Sequence, residues 1–300
     1  MAVPTSTPAS LRPRRSALYM PGSNVRALEK AKTLATDVVI FDLEDAVAPD
    51  AKATARAQVV AAVKGGGYGQ RELVIRINGL DSPWGRDDLA AAASANPHAV
   101  LVPKVSTPDD LHKVGAMLVG APVSLKVWAM METPLGVLNA RDIAAAARSP
   151  ASRLACFVIG TNDLVKETRA HLDANRTAGL YWLSTILTAA KAYGLDCLDG
   201  VYNDFKDLGG MEREAVQGRA LGMDGKTLIH PDQIAHANRI FAPSAEELAN
   251  AEAILAAFTL PENKGKGVIT MDGRMVELLH AEMARRTVAI AKAIAAMGRV

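Results

Sequence analysis

Cysteine, aromatic residues and excess charge are all scarce in this 300-residue chain. Its two cysteines, Cys156 and Cys197, each sit inside an apolar run. They read as buried thiols, not as a disulfide framework or a metal pair. Aromatics make up 4% of the residues, so alanine and valine must do much of the packing. The formal net charge is +2, and no basic stripe interleaved with aromatics occurs. Nucleic acid is therefore not an expected partner. No apolar run is long enough to span a bilayer, so no membrane partner is expected either. Residues 1–14 are rich in Pro, Ser, Thr and Arg and lack the apolar stretch of a secretory signal. They read as a flexible tail of a cytoplasmic protein, although their lack of acids leaves a short transit peptide open.

The chain is 49% hydrophobic, and its length suits one large domain or two small ones. One stretch organises the rest. Val38 to Phe41 is a continuous apolar run, and it leads straight into Asp42, Glu44 and Asp45. Such a run reads as a strand buried on both faces. The pattern returns along the chain. Strands are expected over 16–20, 38–41, 73–77, 99–102, 125–131, 154–159, 197–201 and 226–229. Helices are expected over 24–34, 52–63, 88–95, 108–118, 138–148, 181–193 and 212–221, with a less regular insert after residue 163.

About eight strand–helix units over residues 15–242 predict a closed (β/α)₈ TIM barrel, close to the usual ~250 residues. An open doubly wound sheet is the rival. It would carry a Gly-rich dinucleotide turn after the first strand, and Pro21-Gly22-Ser23 is not one. Residues 243–300 then form a C-terminal helical extension. Ser244 and Glu247 have capping-box spacing before a helix over 244–258. Gly265 and Gly267 mark a flexible turn, and a long Ala-rich helix is expected over 273–297.

In such barrels the strand carboxyl ends carry the active site. The polar residues there are Glu44, Asp45, Arg76, Lys104, Glu132, Asp163, Asp199, Tyr202 and His230. Any one could be ordinary loop polarity; the set points to function. Glu132 and Asp163 follow neighbouring strands directly. Two such carboxylates suit Mg²⁺, with waters and substrate completing its octahedron. Without a cation they repel, and one takes up a proton. Arg76 can grip a carboxylate with two parallel hydrogen bonds. A metal beside an arginine suits an anionic, chelating 2-oxo acid. Lys104 offers a Schiff base as a different mechanism.

The segments Pro21-Gly-Ser, Asp42-Leu-Glu-Asp-Ala-Val, Val74-Ile-Arg-Ile-Asn-Gly, Val102-Pro-Lys-Val and Glu132-Thr-Pro-Leu-Gly carry a resemblance. So do Gly160-Thr-Asn-Asp-Leu, Asp199-Gly-Val-Tyr, Gly225-Lys-Thr-Leu-Ile-His-Pro-Asp-Gln and Asp272-Gly-Arg-Met-Val-Glu. In this order they resemble the citrate lyase β-subunit-like family of CoA-ester lyases, within the HpcH/HpaI aldolase superfamily. The malyl-CoA and citramalyl-CoA lyase branch is the most similar. The resemblance implies that Glu132 and Asp163 bind Mg²⁺, for which Mn²⁺ can substitute. Glu44 and Asp45 would hold metal-bound waters, and Arg76 would bind the oxo-acid carboxylate. Tyr19, Lys30, Asn162, Asp163, Ile229 and His230 would contact substrate and acyl-CoA. Glu277 stands where the lyases have an aspartate that enters a neighbouring subunit's site as an acid. Asn24 stands where the lyases can carry an arginine, and Arg26 could replace it.

The implied function is Mg²⁺-dependent cleavage of a β-hydroxyacyl-CoA to acetyl-CoA or propionyl-CoA and a 2-oxo acid. The implied assembly is a homo-oligomer, a trimer. A thioesterase or malate-synthase-like activity on the same site is one alternative. A non-catalytic subunit of a citrate-lyase-like complex is another.

Overall fold

The computed structural model describes residues 11–298. The chain divides into two compact units, and Arg14–Phe241 is the larger. Its strands are β1 (Ser16–Pro21), β2 (Val38–Asp42), β3 (Glu72–Arg76), β4 (Ala99–Val102), β5 (Lys126–Met131), β6 (Leu154–Ile159), β7 (Asp196–Asp199) and β8 (Gly225–Leu228). All pair in parallel in sequence order, and β1 pairs with β8 to close the barrel. Nearly every strand residue is buried, as the β-branched runs imply. Alternate residues face opposite ways. Ala17, Val38, Ile40, Val74, Leu101, Trp128, Met130 and Val158 fill the barrel. The other parity, including Val39, Phe41, Ile75, Val100 and Phe157, packs against the helices.

The helices of this unit are α1 (Val25–Ala31), α2 (Lys52–Gly65), α3 (Gly85–Ala95), α4 (Pro108–Met117), α5 (Pro134–Leu138), α6 (Ala140–Ala145), α7 (Thr161–Thr168), α8 (Leu180–Ala192), α9 (Leu208–Leu221) and α10 (Gln233–Ile240). Asn24 caps α1 by accepting from the Ala27 N–H at 3.1 Å. Three details differ from expectation. The segment expected as one helix over 138–148 is broken at Asn139 into α5 and α6. The insert after β6 opens with α7 instead of running irregularly. Helix α10 follows β8, where no helix is expected.

Residues 1–10 of the expected N-terminal tail lie outside the described residues. Arg14 is firmly held within the barrel unit. Its guanidinium makes two hydrogen bonds to Glu72, at 2.7 and 2.8 Å, and lies 4.9 Å from the centre of the Trp128 ring.

In the second unit, Ser244 and Glu247 form the expected capping box at the start of α11 (Ala245–Thr259). The segment after it is a correction. Val268–Met271 (β9) and Arg274–Glu277 (β10) form an antiparallel hairpin, and α12 starts only at Leu278 and runs to Met297. Asp272 and Gly273 both have positive φ, 51° and 74°, which suits a two-residue Asp-Gly hairpin turn. Glu277 is the last residue of β10, and its carboxylate caps α12. Among the described residues no helix is long and apolar enough to cross a membrane.

Candidate active site

A cavity of about 350 Å³ opens at the carboxyl ends of the strands. Tyr19, Asp45, Arg76, Asn162, Asp163 and Ile229 of the expected site all line it. Asp42, Met130, Gly160, Thr161, Asn203 and Thr227 line it as well.

Arg76 anchors the charge pattern. Its Nε and one terminal nitrogen donate to the two oxygens of Asp42, at 2.7 and 2.6 Å. The other terminal nitrogen lies 3.1 Å from Asp45 and 3.0 Å from Glu44. The guanidinium also sits 4.9 Å from the centre of the Tyr19 ring. Asp42 additionally accepts from the Glu44 and Ala46 N–H groups, at 2.8 and 3.1 Å. Asp42 and Arg76 are therefore a fixed, fully bonded pair. Asp45 is the partner a substrate carboxylate could replace, because its side chain is 66% exposed. Asp42 is the member that the sequence reading leaves out of the site. Strand parity is the signal that finds it: Val38 and Ile40 face inward, and so does the next residue but one.

Lys104 lies just after β4, in the left-handed region at φ 54°. Its N–H donates to Glu132 Oε1 at 2.8 Å, and its Nζ donates to Glu44 Oε1 at 2.9 Å. Burial acts to lower the Lys104 pKa, but the Glu44 hydrogen bond and the charges of Glu44, Glu132 and Asp163 hold it above its ordinary value. A lysine so paired is a poor Schiff-base nucleophile, which needs the neutral amine. Lys104 does not line this cavity but another, beside Arg86 and α4.

Glu132 is 1% exposed. Its carboxyl is pushed up to about 8, first by burial and then by the charges of Glu44 and Asp163. Its Oε2 is buried with no hydrogen-bond partner. Gly160 makes this position possible: a Cβ there would come within 2.6 Å of Glu132 Oε2. Asp163 is half-buried in the first turn of α7, where an acid is favoured by the helix dipole. Glu44 is also raised, by burial foremost, against the opposing pull of Arg76 and Lys104. Lone-pair capacity at Glu132, beside further acids, fits a hard divalent cation. Among the described residues no group of three or more His, Cys, Asp or Glu side chains could hold a metal alone. That suits an ion that keeps waters and meets substrate directly.

The remaining expected residues are placed as follows. Asn162 and Asn203 bond each other through their amides, at 3.2 and 2.7 Å, on the cavity rim. His230 stacks on Phe205, with ring centres 4.8 Å apart, and does not line the cavity. Lys30 is exposed on α1 and does not line it either. Tyr202 donates to Asp207, the cap of α9, at 2.8 Å. Asp199 is fully buried and bonded to Arg176 at 2.7 Å and Lys226 at 3.1 Å, so it belongs to the scaffold. Glu277 lies in the other unit.

The chain is similar to known proteins along most of its length. The chain is 50% identical over 284 residues to a (3S)-malyl-CoA thioesterase of Cereibacter sphaeroides, covering 95% of this chain and 96% of that one. It is 34% identical over 317 residues to the L-malyl-CoA/beta-methylmalyl-CoA lyase of the same species, covering 96% and 98%. Among solved structures, protein CitE of Mycobacterium tuberculosis in complex with magnesium, acetoacetate and coenzyme A superposes with a TM-score of 0.72. That match is at 31% identity, over 93% of this chain and 99% of that one. Residues 15–231 span the barrel from β1 to just past β8, and over that span the chain belongs to the HpcH/HpaI aldolase/citrate lyase family, whose members are enzymes.

Proposed function

We propose that the chain acts on a malyl-CoA-type thioester and hydrolyses it to the hydroxy acid and CoA. The observation that carries this reading is the 50% identity, along 95% of the chain, with a (3S)-malyl-CoA thioesterase. The site chemistry supports it. Glu132 and Asp163 would hold Mg²⁺, with Mn²⁺ able to substitute, and Glu44 and Asp45 would hold its waters. The bound ion would supply Lewis-acid stabilisation of oxygen charge. Arg76, kept in plane by Asp42, would grip the substrate carboxylate in place of Asp45. Tyr19 keeps its proton, since burial raises its pKa, and offers a donor at the cavity wall. In hydrolysis, water adds to the thioester carbonyl carbon. The C–S bond then breaks, and the departing thiolate takes up a proton. Lys30, Asn162, Ile229 and His230 would contact the acyl-CoA. Glu277 would act as the acid of a neighbouring subunit's site in a homotrimer, although its capping of α12 supplies a purely structural reason for the same residue.

A second reading is the carbon–carbon lyase expected from the sequence, favoured by the 34% identity with a malyl-CoA lyase. There the β-hydroxyl loses its proton, the C–C bond breaks, and the leaving thioester enolate is protonated. One experiment separates the two. Incubation of malyl-CoA with enzyme and Mg²⁺ is expected to yield malate and CoA by mass spectrometry. Glyoxylate and acetyl-CoA would establish the lyase, and no turnover of either kind would overturn both. Light scattering tests the trimer. Mixing inactive Glu277→Ala and Asp163→Asn subunits tests the shared site, because activity returns only if Glu277 acts in trans.

A further inference from the structure

We infer that Lys104 is a positioning residue that sets how the acids of this site are shared between the cation and the substrate carboxylate. This rests on the metal reading above. Its backbone and side chain hold two different carboxylates at once. The N–H fixes Glu132 Oε1 at 2.8 Å, which leaves Glu132 Oε2 buried without a hydrogen-bond partner, as Glu44 Oε2 is too. The ammonium holds Glu44 Oε1 at 2.9 Å, while Glu44 Oε2 faces Arg76 at 3.0 Å. Glu44 is thus shared between two cations, Lys104 and Arg76. Reaching both acids from one residue requires the turn that Lys104 makes at φ 54°, a region that non-glycine residues seldom occupy. Such a conformation persists only where its surroundings impose it.

Loss of the ammonium has two consequences of opposite sign. The carboxylate cluster becomes more negative, so a divalent cation binds more tightly. Glu44, released from Lys104, turns wholly to Arg76 and competes there with the substrate carboxylate. Lys104 therefore weakens the metal site in order to keep Arg76 available. A residue that merely stabilised the loop would move neither quantity in this way.

The test uses Lys104→Gln, which loses the charge, keeps an N–H donor and shortens the side chain by one atom, and Lys104→Arg, which keeps the charge. Mg²⁺ affinity is read by calorimetry without substrate, and KM and kcat for malyl-CoA are read separately. Circular dichroism checks that each variant folds. For Lys104→Gln the Mg²⁺ Kd is expected to fall on the order of tenfold, from removal of one like charge in a partly buried site. The KM is expected to rise by a similar factor, with kcat changed less. Lys104→Arg is expected to return both toward wild type. Unchanged Mg²⁺ affinity in a folded Lys104→Gln protein, with wild-type Mg²⁺ binding intact, would overturn this role and leave the metal reading standing. Wild-type protein that binds no Mg²⁺ would overturn both. Should Lys104→Gln not fold, Lys104→Met removes the same charge; a lowered Mg²⁺ Kd with a raised KM in that variant supports the sharing, and an unchanged Mg²⁺ Kd in the folded protein overturns it.

Discussion

Two of the buried charge clusters of the barrel differ in their balance of acid and base. Around β7 and β8, Asp199 and Glu214 meet Arg176 and Lys226, two acids and two bases linked by contacts of 2.5 to 3.4 Å. Lys226 also donates to the Gly200 carbonyl at 2.6 Å. Burial works against the Asp199 carboxylate, but the charges of Lys226 and Arg176 outweigh it and hold Asp199 below its ordinary value. At the ends of β2 to β6 the composition is different. Asp42, Glu44, Asp45, Glu132 and Asp163 have Arg76 and Lys104 as their ion-pair partners among the described residues, and Lys52 acts on the first three by charge alone, so acids outnumber cations. Lys52, close by, directs its ammonium to the carbonyls of Leu43 and Glu44. Here the deepest acid, Glu132, is pushed up to about 8. A balanced cluster is a finished piece of scaffold. A cluster with surplus acid in a low-dielectric site needs a proton or a further cation to complete it. The contrast separates architecture from chemistry within one barrel.

The largest effect expected is at Glu132. Glu132→Gln is predicted to cost about a thousandfold or more in kcat/KM, because Lewis-acid stabilisation is worth several kcal/mol and 1.36 kcal/mol is tenfold. The same change is expected to leave the fold intact and to abolish Mg²⁺ binding by calorimetry. A fully active variant would remove Glu132 from the site. Lys226→Met is predicted to do the reverse. It leaves buried Asp199 with one cation fewer, a loss that costs about 3–5 kcal/mol of stability. Chemical denaturation is expected to show that loss, while Mg²⁺ affinity stays near wild type. If Lys226→Met altered Mg²⁺ affinity as strongly as stability, the two clusters would not be independent.

Much of this contrast was legible before any coordinates. Continuous apolar runs such as Val38 to Phe41 located the strands, because a parallel strand covered on both faces leaves little room for polar residues. Glu132 follows β5 directly, whereas Asp163 comes four residues after the end of β6, within α7. Other features were hidden for physical reasons. Thr161-Asn-Asp ends the sixth strand segment before an insert with no clear period, yet it opens α7, since Thr, Asn and Asp are common at helix starts as well as in loops. The helix expected over 273–297 starts inside the Asp272-Gly273 turn, although Asp-Gly between two short apolar runs is a hairpin signal. Long-range partnerships were beyond reach. Nothing local to Asp199 announces that Arg176 and Lys226 will neutralise it, or that Asp42 will take Arg76. The same residue types at strand ends became scaffold at β7 and site at β2, and only the partners differ.

A smaller effect tests the pairing of Arg76. Lysine keeps the charge but loses the fork that meets both oxygens of Asp42. Arg76→Lys is predicted to lower kcat/KM by on the order of 2 kcal/mol of transition-state binding, the low end for a disturbed buried charge pair. Mg²⁺ affinity is expected to change much less, which distinguishes the substrate side of the cluster from its metal side. An unchanged kcat/KM would place the substrate carboxylate elsewhere.

The pH dependence is the most specific to the contrast, because the two clusters push stability in opposite directions with pH. Asp199 is held below its ordinary value, so it stabilises the fold at neutral pH and that contribution is lost as acid protonates it. Glu132 is raised from 4.5 to about 8, so its folded form prefers the proton. Its contribution is full below 4.5 and is lost as the pH climbs to about 8. In that window, without divalent ions, stability is predicted to fall by at most about 1.4 kcal/mol per pH unit from this group. Urea denaturation of the EDTA-treated protein between pH 5 and about 9 reads the slope directly. Glu132→Gln has no proton to lose and is expected to remove this part of the slope. Saturating Mg²⁺ is expected to remove it too, since the cation takes the place of the proton on the same carboxylate. Parallel slopes in wild type and Glu132→Gln would assign the surplus of charge to some other acid of the cluster. A slope that vanishes only in Lys226→Met would mean that the balanced cluster, not the site at β5, carries the titration.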